Sequence, residues 1–195
     1  MSIDPRPHRA GRAEAEVVQG WLRGVRAIPS PNCDARPAGE APWLVVLHAI
    51  SLPPDAFGGP GVEQLFTNTL AATDHPYHAQ IAHLRVSAHF FIRRDGELIQ
   101  FVPVDQRAWH AGVSCWEGRE RCNDFSIGIE LEGCDTLPFA PVQYRCLQRL
   151  LALLRRHWPL RAIVGHSDIA PGRKTDPGPC FDWSLLPEDI FVANR

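Results

Sequence analysis

The chain has no excess of basic charge, no long hydrophobic run and no C-x-x-C cysteine pair, and each absence excludes a class of protein. A formal net charge of -2 gives no footing for nonspecific nucleic-acid binding, which needs a clear surplus of Lys and Arg. The longest apolar stretches, such as WLVVLHAI at 43–50, fall far short of the ~20 residues that span a bilayer. Without C-x-x-C spacing, the six cysteines (33, 115, 122, 134, 146 and 180) do not read as a thiolate zinc knuckle. The N-terminal stretch MSIDPRPHRAGRAEAEVVQGW carries arginines with no apolar core behind them, so it does not read as a secretory signal. Reduced thiols and a cytoplasmic protein are therefore expected. No repeat and no Gly/Ser-rich linker divides the chain.

What is present is ordinary for a globular domain: 195 residues, 45% hydrophobic and 22% charged, enough for one full core. Residues 1–18 read as an N-terminal extension, helical over 13–20, and 19–195 as the domain. The run at 43–50 predicts a buried strand. SAHFFIRR (87–94) and ELIQFV (97–102) flank Asp95-Gly96, which predicts a two-residue hairpin. SIGIELEG (126–133) alternates, setting Ile127, Ile129 and Leu131 on one face and Gly128, Glu130 and Glu132 on the other. RAIVGH (161–166) predicts another buried strand. Helices are expected over 61–72, with Val62, Leu65, Phe66 and Leu70 at helical spacing, and over 141–157, with Leu147, Leu150, Leu151 and Leu154 on one face. The second ends at Trp158-Pro159. Together these predict a single α/β domain with a mixed sheet flanked by helices.

Nine histidines invite a metal argument. His48 and His166 each end a buried strand, and ligands at the C-terminal ends of neighbouring strands are a common site geometry. The cluster DHPYHAQIAHLRVSAH holds His75, His78, His83 and His89 at spacings that fit no zinc pattern. His89 is placed to be core. A zinc site needs a third protein ligand, and the loop GHSDIAPGRKTDPGPC (165–180) offers two. Asp168 is close enough to His166 to be a local turn-former, whereas Asp176 needs the loop to curl back. Both stay open on these grounds. His110, beside Trp109, reads equally as pocket wall or as plain packing.

The strings HLRVSAH, IRRDG, RAWHAGVS, GRERCNDFSIGIELEG and GHSDIAPGRKTDPGP, in that order from about Trp21 to Trp183, resemble the zinc-dependent N-acetylmuramoyl-L-alanine amidases. The likeness is strongest to the cytosolic members that act on 1,6-anhydro muropeptides in cell-wall recycling. The resemblance implies the fold shared by peptidoglycan-recognition proteins and amidase-type phage lysozymes. It also implies one catalytic Zn2+ on His48, His166 and Asp176, a catalytic carboxylate at Glu130 and a catalytic lysine at Lys174. Arg85 and Arg121 match positions where the family binds substrate, and Trp109 and His110 are expected to line the sugar or peptide side.

Two imidazoles and one carboxylate leave a zinc ion positively charged with an open position. Glu130, on a polar strand face, suits proton transfer, and Lys174 suits a developing oxyanion. The implied partner is a small glycopeptide, an anhydro-muropeptide, met by a cytoplasmic monomer, with no nucleic acid and no membrane. Two competing readings are a recognition module that only holds the glycopeptide and an amidase of intact wall. Ala49 departs from the family, where Asn follows the first histidine; a hydrogen bond behind the ligand is expected to change while the ligands stay.

Overall fold

The computed structural model describes residues 16–186. Six strands form its central sheet: β1 (Arg26–Ala27), β2 (Leu44–Ile50), β3 (Phe90–Ile92), β4 (Leu98–Gln100), β5 (Ser126–Glu132) and β6 (Ala162–Gly165). Their order across the sheet is β6-β2-β5-β3-β4-β1. β6, β2, β5 and β3 run parallel, β4 returns antiparallel to β3, and β1 is parallel to β4. The helices are α1 (Gly61–Phe66), α2 (Pro76–Ile81), α3 (Pro141–His157) and the single turn α4 (His166–Ile169). This is the mixed sheet with flanking helices that the pattern of segments predicts.

The alternation in β5 sorts the two faces. Ile127, Ile129 and Leu131 join Val45 and Leu47 of β2 beneath Leu147, Leu150, Leu151 and Leu154 of α3. Each such side chain, fully buried, contributes roughly 1.5–3 kcal/mol. Gln143, itself buried, pins the start of α3 to the sheet. Its amide donates to the carbonyls of Ile92 (3.2 Å) and Glu132 (3.0 Å), and its oxygen accepts from the Ala140 N–H (2.9 Å). The opposite face carries Phe91 and Ile99 against Val62, Leu65 and Phe66 of α1, and Leu44 and Val46 beside Phe125 and Val164. His48 and Glu130 share the parity of Val46 and Gly128, so they project from this second face.

Three local expectations are revised. The helix expected over 61–72 stops at Phe66, where the Thr67 hydroxyl turns back to the Glu63 carbonyl (2.8 Å) and Asn68 takes φ 61°. The β3–β4 connection is a three-residue loop, Arg94 to Gly96, because Arg93 N–H bonds the Glu97 carbonyl (2.9 Å) and Gly96 sits at φ 88°. A turn closed by a left-handed glycine gives this longer hairpin in place of the two-residue one. The helix expected over 13–20 is replaced in its described part: Val17–Val18 pairs with Trp21–Leu22 around a turn at Gln19 and Gly20. The remainder of the expected extension lies outside the described residues.

Candidate metal centre and active-site cleft

The register of the parallel strands builds the site. Glu130 of β5 stands beside His48 of β2. Gly165 of β6 pairs with Leu47, so the next residue, His166, emerges next to His48 at the C-terminal edge of the sheet. The Gly- and Pro-rich loop after β6 then returns a carboxylate to the same point. The Ser167 N–H bonds the Asp176 carbonyl (2.9 Å), closing the ten-residue excursion. Arg173 braces the loop from outside by donating to the carbonyls of Ala111 (2.9 Å) and Val113 (2.6 Å).

Three ligand atoms converge as a result. His48 Nδ1 lies 3.0 Å from His166 Nδ1 and 3.0 Å from Asp176 Oδ2, and His166 Nδ1 lies 3.1 Å from the same oxygen. Donors about 2.0–2.1 Å from a common tetrahedral centre would stand about 3.3 Å apart, so the triangle fits one small cation. His166 Nε2 donates to the Ala111 carbonyl (3.2 Å), which leaves its Nδ1 bare and turned toward the other two atoms. The three residues form the group able to hold a metal ion among the described residues. Asp168, the other candidate, is absent from it. Its carboxylate instead accepts from the Gly165 N–H (2.6 Å) at the start of α4.

The electrostatics suit a cation. Burial pushes the His48 imidazole down to about 4 against the contact with Asp176, so His48 is neutral at pH 7 and its contact with Asp176 is not an ion pair. Burial works to raise the Asp176 carboxyl, but its contacts with His166 and His48 outweigh it and hold the group well below the usual carboxylate range. Glu130 goes the other way. Burial, then the charge of Asp176, pushes it well above the ordinary glutamate value, with Lys174 opposing. Its Oε2 is buried without a hydrogen-bond partner.

These residues open onto a cleft of about 630 Å³ with two unlike walls. Leu65 and Phe66 of α1, Tyr77 and Ile81 of α2, and Trp109 make an apolar side, while Asp135, Thr136, Lys174 and Thr175 make a polar one. Trp109 is steered by its indole N–H, which donates to Asp34 (3.1 Å). The Thr175 hydroxyl donates to Asp135 (2.9 Å), tying the loop that carries Lys174 to the chain after β5.

Not every expected residue gathers here. Arg85 and Arg121 do not line the cleft. Arg85 is exposed and donates to the carbonyls of residues 82–84, and Arg121, also exposed, pairs with Asp124 at 3.3 Å. His110 borders the cleft, but both of its ring nitrogens face inward to protein, Nδ1 to His48 (3.0 Å) and Nε2 to Ser126 (3.2 Å). His75, His78 and His83 take no part in the metal group. Sequence reasoning missed Ser126 and also Asn123, whose side-chain oxygen accepts from the N–H groups of His110 (3.1 Å) and Ala111 (2.8 Å). The available signal was Gly128, since a glycine inside a strand marks close approach of another group.

His89 is core, as its alternation with Phe90 predicts. Its Nδ1 accepts from the Gly128 N–H (3.0 Å) and its Nε2 donates to the Gln106 carbonyl (3.0 Å). Burial, then the Arg36 charge, lowers it to about 3. A depressed folded pKa means that the unfolded chain binds the proton first. Stability from this group is complete above about 6.5 and is lost as pH falls toward about 3. The expected slope is about 1.4 kcal/mol per pH unit inside that window. Urea unfolding of the metal-free parent and of a His89→Gln variant at several pH values tests it, and an equal pH dependence of the two midpoints between pH 6.5 and 4 would refute it.

The mixed sheet, a triad of metal-ligand type at its C-terminal edge and a buried carboxylate beside it suit a hydrolase whose site could hold a metal ion. A family model described as N-acetylmuramoyl-L-alanine amidase matches residues 38–179. The chain belongs to the N-acetylmuramoyl-L-alanine amidase family and hydrolyses the amide that joins N-acetylmuramic acid to L-alanine. The 1,6-anhydro-N-acetylmuramyl-L-alanine amidase AmpD of Escherichia coli (strain K12) is 60% identical over 170 residues, covering 86% of this chain and 93% of that protein. The crystal structure of a Se-Met AmpD derivative has a TM-score of 0.83 at 56% identity, over 88% of this chain and 99% of that one. The amidase AmiD from E. coli, in complex with the substrate anhydro-N-acetylmuramic acid-L-Ala-D-gamma-Glu-L-Lys, has a TM-score of 0.55 at 30% identity, over 80% of this chain and 61% of that one.

Proposed function

We propose that the substrate is a soluble 1,6-anhydro muropeptide and that the metal is one zinc ion held by His48, His166 and Asp176. The observation that carries this reading is the convergence of two imidazole nitrogens and a carboxylate oxygen at 3.0–3.1 Å beside the buried Glu130. The donor set is typical of catalytic zinc, with three protein ligands and one open position. The names of the similar proteins support the anhydro sugar, and the AmiD structure is a complex with such a substrate. When bound, the zinc ion supplies Lewis acidity and lowers the pKa of a water toward roughly 7.

The chain's own residues do the rest. Glu130 takes the proton of the attacking water and passes it to the nitrogen of the departing L-alanine. Its environment, dry and beside the ligand triangle, makes a carboxyl able to hold a proton between those two moments. Lys174, on the polar wall of the cleft, points its ammonium at the carbonyl oxygen as charge develops there. Trp109 offers a flat face to the sugar. Arg85 and Arg121, exposed and long enough to swing, meet the carboxylates of the stem peptide from the rim.

Six unpaired cysteines among the described residues suit a reducing compartment and so a cytoplasmic task in peptidoglycan recycling. No helix of the described residues is long and apolar enough to cross a membrane. The test compares soluble anhydro-muropeptide with polymeric sacculi, each with and without chelator, reading free stem peptide by mass spectrometry. Cleavage of the soluble substrate, lost to chelator and restored by zinc, is expected. Equal rates on sacculi would overturn the substrate class, and indifference to chelator would overturn the metal.

A further inference from the structure

We infer that His110 and Ser126 are positioning residues for the metal ligand His48, acting through a hydrogen-bond chain whose direction is fixed at its far end. This deepens the zinc reading above and rests on it.

The chain is read from the Cys122 carbonyl, which can only accept. The Ser126 hydroxyl lies 2.5 Å from it and spends its single hydrogen there. Ser126 Oγ then has only lone pairs for His110 Nε2 at 3.2 Å, so that nitrogen carries the hydrogen. His110 Nδ1 is consequently bare and accepts from His48 Nε2 at 3.0 Å. His48 therefore keeps its hydrogen on Nε2 and turns a bare Nδ1 toward His166 and Asp176. Each link forces the next.

The backbone holds this chain in place. Asn123 fixes the main chain at His110, and Gly128 leaves room for the ring, since a Cβ there would lie 2.4 Å from His110 Cγ. Ser126, Gly128 and Glu130 share one face of β5, so the strand that presents the proton carrier also seats the device orienting the ligand beside it. The two imidazole ligands differ in this respect. His166 is oriented by a backbone carbonyl, whereas His48 is oriented by a side chain that mutation can remove. A hydrogen-bond acceptor behind a ligating histidine fixes its tautomer and raises its basicity, and loss of such a partner typically costs 10–100-fold in metal affinity.

The test is the zinc dissociation constant, measured by competition with a chromophoric chelator on stripped and reloaded protein. His110→Leu should bind zinc about 10–100-fold more weakly. His110→Asn, whose amide oxygen can occupy the place of Nδ1 and accept the same bond, should return to within a few-fold of the parent. Ser126→Ala, which removes one oxygen and is expected to fold, should weaken zinc by a smaller factor and decides the matter if His110→Leu does not fold. Parent-like affinity in His110→Leu, or in Ser126→Ala where that variant decides, overturns the inference. Equal weakness of the Leu and Asn variants also overturns it, because packing would then be the cause. A parent protein that binds no zinc refutes the metal reading itself, which is a separate outcome.

Discussion

Glu130→Gln leaves the zinc content unchanged and lowers kcat about 10²- to 10⁴-fold, the usual contribution of a positioned acid–base group. The substitution keeps the shape of the side chain and removes only its capacity to take up and release a proton. Glu130 is not one of the three converging ligands, so the metal has no reason to leave. Nor should folding suffer. The carboxyl is buried, with Oε2 unpartnered, and burial already pushes it well above its ordinary value. A neutral amide there avoids the cost of burying charge, so the unfolding midpoint should hold or rise. Lost turnover in a stable, zinc-replete protein then isolates the proton-transfer step. The rate on soluble anhydro-muropeptide and the zinc content of the same sample check both halves, and a kcat within tenfold of the parent would remove Glu130 from that role. An acid limb of the pH–rate profile due to Glu130 should vanish in the variant.

How much of this was legible in the sequence depends on the range of the interaction. The strands around 44–50 and 162–165 are written as short continuous apolar runs, because both of their faces are buried, whereas the strand at 126–132 and the helix at 141–157 are written in two-residue and 3.6-residue repeats. The gathering of His48, His166 and Glu130 follows once those strands are parallel neighbours, and parity alone puts His48 and Glu130 on one face. The choice of Asp176 over Asp168 was not legible from the residues alone. It depends on the Ser167–Asp176 backbone bond and on Asp168 being taken up by Gly165, contacts made only when the loop closes. His110 was equally opaque: WHAG has no periodicity, and whether its ring faces substrate or His48 is decided by the space above Gly128. Val17–Val18 misled because AEAEVVQG has helical composition, while pairing with Trp21–Leu22 overrides local propensity.

Asp176→Ala should lose zinc by more than the roughly 10–100-fold that a partner behind a ligand is worth, whereas Asp168→Ala should keep it. Asp176 supplies the only carboxylate of the triangle and the charge that offsets a divalent ion. Without it, two imidazoles remain, neither of which carries negative charge, and a dication between them is neither neutralised nor held at three points. Asp168, although only eight positions earlier, serves the backbone. Its replacement removes an acceptor from the Gly165 N–H (2.6 Å) and should cost about 1 kcal/mol of stability, as loss of a helix-start cap does. The pair thus separates ligation from loop architecture within one short segment. Zinc per chain after gel filtration, measured beside the thermal midpoint of each metal-free protein, reads the two effects independently. Unchanged zinc in Asp176→Ala with loss in Asp168→Ala would reverse the assignment. Loss in both would mean that α4 and the returning loop position His166 as one unit, and that the closed excursion, more than any one carboxylate, makes the site.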